Sequence, residues 1–165
     1  MRLFPLLLAF SAAISPVWAA ELAAPTGEVV LTISGAIANT NGEGTAAFDL
    51  AMLDALPQRT TTAVTPWYTG EQTFSGVILS DLLDAVGATG TLAQVVALND
   101  YSAEIPFEDF ETAPVILATR LNGETLSVRD KGPLFVIYPF DLDPELYNEV
   151  VFSRSVWQVN VLKVQ

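Results

Sequence analysis

This sequence contains no cysteine and no histidine. The first absence excludes a thiolate nucleophile, a disulfide framework, an iron–sulfur cluster and a lipid-modified N-terminal cysteine. The second removes the commonest ligands of structural zinc and of haem. Basic residues are scarce: 7 Lys and Arg stand against 19 Asp and Glu, for a formal net charge of −12. Phosphate backbones are bound by clustered cations, so this balance argues against nucleic acid as a partner, and equally against a negatively charged membrane surface. Charged residues make up only 16% of the chain while 51% is hydrophobic, the balance of a folded globular protein rather than a disordered one. A length of 165 residues allows one domain with a genuine core. No internal repeat, linker or low-complexity stretch divides it.

The N-terminus is built differently from the rest. Arg2 precedes the apolar run LFPLLLAF, and the segment closes on the small-residue ending Val17-Trp18-Ala19, the plan of a secretory signal peptide over residues 1–19. Cleavage is expected after Ala19 or Ala20, leaving a single domain, residues 20–165, in the periplasm or outside the cell. A membrane anchor is the alternative, but Pro5, Ser11, Ser15 and Pro16 divide the segment, and its apolar part is short for a bilayer core of ~30 Å. No later stretch approaches 18 uninterrupted apolar residues, so no membrane span is expected after cleavage.

The densest block of readable structure runs from Val115 to Asp141. Val115 to Leu121 reads as a strand, Asn122-Gly123 suits the positive φ values of a tight hairpin turn, and Thr125 to Val128 reads as the returning partner. Pro133 has no N–H to donate and fits the start of an element, after which LFVIYP reads as a buried central strand. Elsewhere, Glu28 to Ser34 places Val29, Leu31 and Ile33 on one strand face. Asp49 is expected to cap a short helix over DLAMLDAL, which Pro57 stops. Arg59 to Thr65 has strand propensity, and Pro66 to Gly70 is loop chemistry carrying two aromatics. Ser80 reads as the N-cap of the helix DLLDAV, with Gly87 closing it. Gln94 to Leu98 and Ala103 to Ile105 read as a hairpin around Asn99-Asp100, and Pro106 as the start of a helical turn. The final SVWQVNVLKV places Trp157, Val159 and Val161 on one face of a closing strand.

Acidic spacings offer little chemistry. Asp81 and Asp84 lie three residues apart on one predicted helix, a spacing that describes a solvated face more often than an acid and base. Asp141, Asp143 and Glu145 alternate like a calcium loop but lack its glycine and distal glutamate, so a solvated helix start is the better reading. Neither a catalytic residue nor a metal-ligand set is assigned.

Three segments, FSGVILSDLLDAVGA, VVALNDYSAEIPFEDF and VILATRLNGETLSVRDKGPLFVIYP, followed by SVWQVNVLKV, resemble in this order the molybdopterin-binding domain of sulfite-oxidase-like oxidoreductases. The first is similar to that family's Gly-Val-x-Leu-x-x-Leu-Leu signature, the third to its Asn-Gly-x-x-Leu turn and Gly-x-Pro-Leu strand, the last to its Ser-x-x-Trp strand. The resemblance spans about Val64 to the end and implies an α+β fold, mixed β-sheets with short helices. It also implies a molybdopterin cofactor and oxidoreductase chemistry, from which this chain departs. Members that do chemistry supply a cysteine thiolate to molybdenum, and here Thr60 to Thr62 occupy that region. A hydroxyl is a hard, weakly acidic donor that does not replace a soft thiolate. The family's histidine and arginine near the pterin phosphate are also missing, since the chain runs Asp130-Lys131-Gly132-Pro133-Leu134-Phe135. No cofactor is therefore expected, although Arg129 or Lys131 offers a partial substitute.

Three functions are compatible with these residues. The favoured one is an exported, non-catalytic member of the fold that binds a small ligand, an anionic one included, or an exported or membrane-bound sensor or redox partner, in a sensing or accessory role. The others are a molybdopterin-dependent oxidoreductase with atypical metal ligation, and a structural or carrier protein. For the favoured reading, an anionic or planar ligand needs donors beside aromatic faces, which selects Arg59, Trp67, Tyr101, Arg129, Lys131 and Arg154. Against each stands the ordinary alternative that the cation pairs with a surface carboxylate and the aromatic fills core.

Overall fold

A computed structural model describes residues 22–165, so the signal segment read over residues 1–19 lies outside the described residues. In chain order the strands are β1 (Val29–Gly35), β2 (Thr45–Asp49), β3 (Gln58–Val64), β4 (Glu71–Ile78), β5 (Leu92–Ala97), β6 (Ser102–Pro106), β7 (Ile116–Leu121), β8 (Glu124–Thr125), β9 (Phe135–Ile137) and β10 (Val159–Val164). The helices are short: α1 (Leu50–Asp54), α2 (Leu79–Ala85), α3 (Phe107–Thr112) and α4 (Glu149–Arg154). One sheet runs β2-β1-β10-β5-β6, with β1 and β10 parallel and the other neighbours antiparallel. The second runs β3-β4-β7-β8, with β9 paired to the same β7. This is the expected α+β architecture of mixed sheets and short helices.

Burial follows from the alternation of side chains along the strands. Leu31, Ile33, Val95, Leu162 and Val164 of the first sheet join Val77, Leu117 and Val136 of the second in the main core, together with Leu53 of α1 and Leu79, Leu82 and Leu83 of α2. The alternate residues of the second sheet, Phe74, Ile116, Ala118, Phe135 and Ile137, form a smaller core on its other face, closed by Trp67, Tyr68 and Phe140. Strand β7 is thus covered on both sides, which is why its sequence reads as a continuous apolar run. Where β4 crosses it the backbones touch: a Cβ on Gly76 would lie 2.1 Å from the carbonyl oxygen of Leu117.

The hairpin turn is as read, with φ of 52° at Asn122 and 87° at Gly123. The Asp49 cap also holds, its side chain accepting from Met52 N. Four readings need correction. Val29 is exposed because the β1–β2 register shifts between Val29 and Leu31, so only Leu31 and Ile33 reach the core. The β10–β5 register shifts between Val159 and Val161, which turns Leu162 and Val164 inward in place of Val161, while the positive φ of 56° at Gln158 separates exposed Trp157 from buried Val159. Helix α2 begins at Leu79 with Ile78 at its N-cap and no side-chain cap, so Ser80 is inside it. The partner of β7 is only two residues long, because residues Val128–Asp130 coil into a 3₁₀ turn. Strand β9 is buried throughout, flanked by β7 on one side and by Val156, whose carbonyl accepts from Val136 N at 2.8 Å.

Candidate functional site

The 3₁₀ turn after β8 is a built feature. Ser127 caps it by accepting from Asp130 N, and Lys131 follows in the left-handed conformation with φ of 69°. Two neighbours pin it. The hydroxyl of Tyr68, from the β3–β4 loop, donates to the carbonyl of Asp130 at 2.9 Å. Burial, with a smaller contribution from the Asp130 charge, raises the Tyr68 phenol above its ordinary range, so it stays a donor. On the other side, Gln158 Nε2 donates to the carbonyl of Val128 at 2.8 Å, and Gln158 N to that of Lys131 at 2.9 Å.

Held this way, the Lys131 ammonium lies 4.7 Å from the ring centroid of Tyr68 and 5.2 Å from that of Trp157. Both are within the range of cation–π attraction, worth ~0.5–1 kcal/mol at an exposed position. No carboxylate among the described residues comes within ion-pair distance of Lys131 or of the exposed Arg129 in the same turn. Beside them, Trp157 and Tyr101, each a little under half exposed, line a cleft of about 210 Å³ with Asn99 and Gln158. Cations without carboxylate partners beside aromatic faces form a surface suited to an anion or an anionic ring.

Of the six residues read from the sequence, Lys131 lies over Trp157, which shares its cleft with Tyr101, whose hydroxyl donates to the Ser153 carbonyl at 3.0 Å, and Arg129 is exposed two residues before Lys131 in the same turn; the other three are engaged elsewhere. Arg59 is a structural residue: its guanidinium grips Asp141 at 2.8 and 3.1 Å and also donates to the Thr61 hydroxyl. Arg154 pairs with Asp109 at 2.8 Å. Trp67 is a packing residue, with ring centroids 5.1 Å from Phe135, 5.8 Å from Phe152 and 6.2 Å from Phe140. Arg120, close to Arg129 and Lys131 in sequence, holds Asp54 through both oxygens at 2.6 and 2.7 Å. Tyr68 and Trp157 were not selected from the sequence, although Tyr68 is the second aromatic of the loop that carries Trp67 and Trp157 the tryptophan of the Ser-x-x-Trp segment.

The residues present do not fit a molybdenum centre. Thr61, in the β3 stretch that stands where the family carries its thiolate, is wholly buried, and its hydroxyl is engaged by Arg59. No thiol or imidazole exists anywhere in the chain to take its place, and the described residues hold no cluster of acidic side chains with metal-binding spacing.

Comparison with known proteins agrees with the fold. The sulfane dehydrogenase SoxCD from Paracoccus pantotrophus is similar in structure, with a TM-score of 0.61 at 22% sequence identity. The likeness covers 81% of this chain but only 37% of that one, and at this identity it concerns the fold alone. No curated protein matches in sequence. A model of the oxidoreductase molybdopterin binding domain matches residues 30–141, reaching back to β1, further than the resemblance read from the sequence, and stopping before the closing SVWQVNVLKV segment of that resemblance. With more than half of its length so matched, the chain belongs to the oxidoreductase molybdopterin binding domain family.

Proposed function

We propose that this protein is an exported, non-catalytic member of its family that binds the anionic group of a small ligand or partner protein at the Arg129–Lys131 turn, in a sensing or accessory role. The observation that carries the reading is Lys131: in a chain with 19 acidic residues, its ammonium is held over two aromatic rings and, among the described residues, against no carboxylate. A cation left unneutralised in such surroundings is a standing attraction for an anion, and the rings beside it favour one with a flat or apolar body. The missing thiolate separates binding from redox chemistry, since function rests on the site and not on the fold.

Titration of the purified protein with benzoate and with pyrophosphate, followed by tryptophan emission with Trp67→Phe as the background, tests this. The expected result is a saturable change for at least one probe, weakened by salt and at least tenfold weaker in Lys131→Gln. No saturable change, or an unaltered affinity in Lys131→Gln, overturns it. Export is tested separately: the mature protein should begin at Ala20 or Glu21 by mass, and an intact Met1 in periplasmic material contradicts it.

A further inference from the structure

A larger concavity, which shares no lining residue with the Lys131 surface, lies between α3, α4 and the end of β9, with a volume of about 630 Å³. That is the size of a small-molecule site. Its walls include Leu146, Val150 and Val151, and Val150 is more than half exposed although it is apolar. Three polar groups converge in it. The hydroxyl of Tyr138, a residue only 2% exposed, donates to Asp109 Oδ2 at 2.5 Å. Nη1 of Arg154 donates to the same oxygen at 2.8 Å.

This arrangement leaves a specific remainder. Asp109 Oδ2 takes both bonds and Oδ1 accepts none from the described residues, and the two partly exposed side chains turn their remaining polar edges to the open concavity. An open acceptor and open donors therefore belong to one ion pair whose own two charges cancel. A carboxylate ligand would face the Asp109 charge and that of Glu149, which also lines the concavity. An ammonium would meet Arg154. A neutral group with an acceptor and an N–H donor side by side satisfies both, and its apolar remainder would lie along the valine and leucine wall.

We infer that this concavity is a binding site for a neutral small molecule carrying a carboxamide-like group on an apolar body. A matched series tests it: hexanamide, hexanoate and hexylamine titrated into the intact protein and followed by NMR. For probes this small, a dissociation constant on the order of a millimolar is expected for hexanamide. Saturable shifts should centre on Tyr138, Val150 and Val151, and both charged analogues should bind at least tenfold more weakly. Val150→Trp fills the open side from an exposed position one turn before Arg154 on α4, and should abolish the shifts. Asp109→Asn should narrow the preference over hexanoate. Hexanoate binding as tightly as hexanamide, shifts that survive Val150→Trp, or the absence of saturation by any probe would each overturn the inference.

Discussion

Removing the carboxylate of Asp109 is the perturbation whose cost the structure specifies best. The side chain accepts from Tyr138 at 2.5 Å and from Arg154 at 2.8 Å, and the two donors differ in their access to water. The Tyr138 phenol is buried and its pKa is raised, chiefly by desolvation and then by the Asp109 hydrogen bond, so it remains a protonated donor throughout the accessible pH range. In Asp109→Ala that hydroxyl loses its partner inside the protein, a penalty of about 1–3 kcal/mol. The Arg154 side chain is about a quarter exposed and turns to solvent when released, so its share is ~1 kcal/mol or less. The expected loss is about 1–4 kcal/mol, or roughly 2–16 °C in Tm for a domain of this size. Tyr138→Phe removes the donor and leaves Asp109 still bonded to Arg154, so it should cost only ~1–2 kcal/mol, and Arg154→Ala less again. Urea unfolding of the three variants gives the order directly. Asp109→Ala costing no more than Arg154→Ala would refute the claim that the buried phenol bond holds this end of the molecule together.

Three further outcomes follow from the backbone and the caps. Gly123→Val places a β-branched residue at a φ of 87° in the β7–β8 turn and should destabilise by ~1 kcal/mol or more, with no steric contribution because nothing lies within 4 Å of the new Cβ; an unchanged urea midpoint contradicts the turn. Gly76→Ala drives a methyl against the Leu117 carbonyl at 2.1 Å, backbone that cannot step aside without breaking the β4–β7 ladder, so a loss of ~3 kcal/mol or more is expected in the same assay. The Asp49 carboxyl is held below its ordinary value of 3.8, first by the N–H of Met52, then by those of Gly27 and Thr26. A depressed folded pKa contributes stability that is complete above the ordinary carboxylate range and disappears as pH falls through the folded value. Thermal midpoints of Asp49→Asn between pH 5 and 2.5 should therefore fall less steeply than those of the parent, and parallel curves would contradict this.

Much of the architecture was legible because local chemistry and packing demand the same residues. Asn122-Gly123 names its turn, Asp49 its cap, and the unbroken VILATRL run the doubly covered β7. What escaped was fixed at a distance. The bulges in β1 and β10 arise from pairing with β2 and β5, so no alternation within either segment announced which side chains would turn outward. The candidate site divided in the same way. Lys131 and Arg129 were visible as cations near a glycine–proline step, but Arg59 and Arg154 look no different in sequence, and only the fold supplies Asp141 and Asp109 as their partners. The Tyr138–Asp109–Arg154 cluster joins residues 29 and 45 positions apart and has no local signature at all.

The most direct test of the account is elemental analysis of the protein purified from a host that makes the molybdenum cofactor. A chain without a thiol or an imidazole, with Thr60 to Thr62 in the region where its family carries a thiolate and Thr61 buried and bonded to Arg59, should contain no molybdenum or tungsten above background. Metal approaching one atom per chain would contradict the non-catalytic reading and make the protein an oxidoreductase with a ligand set of another kind.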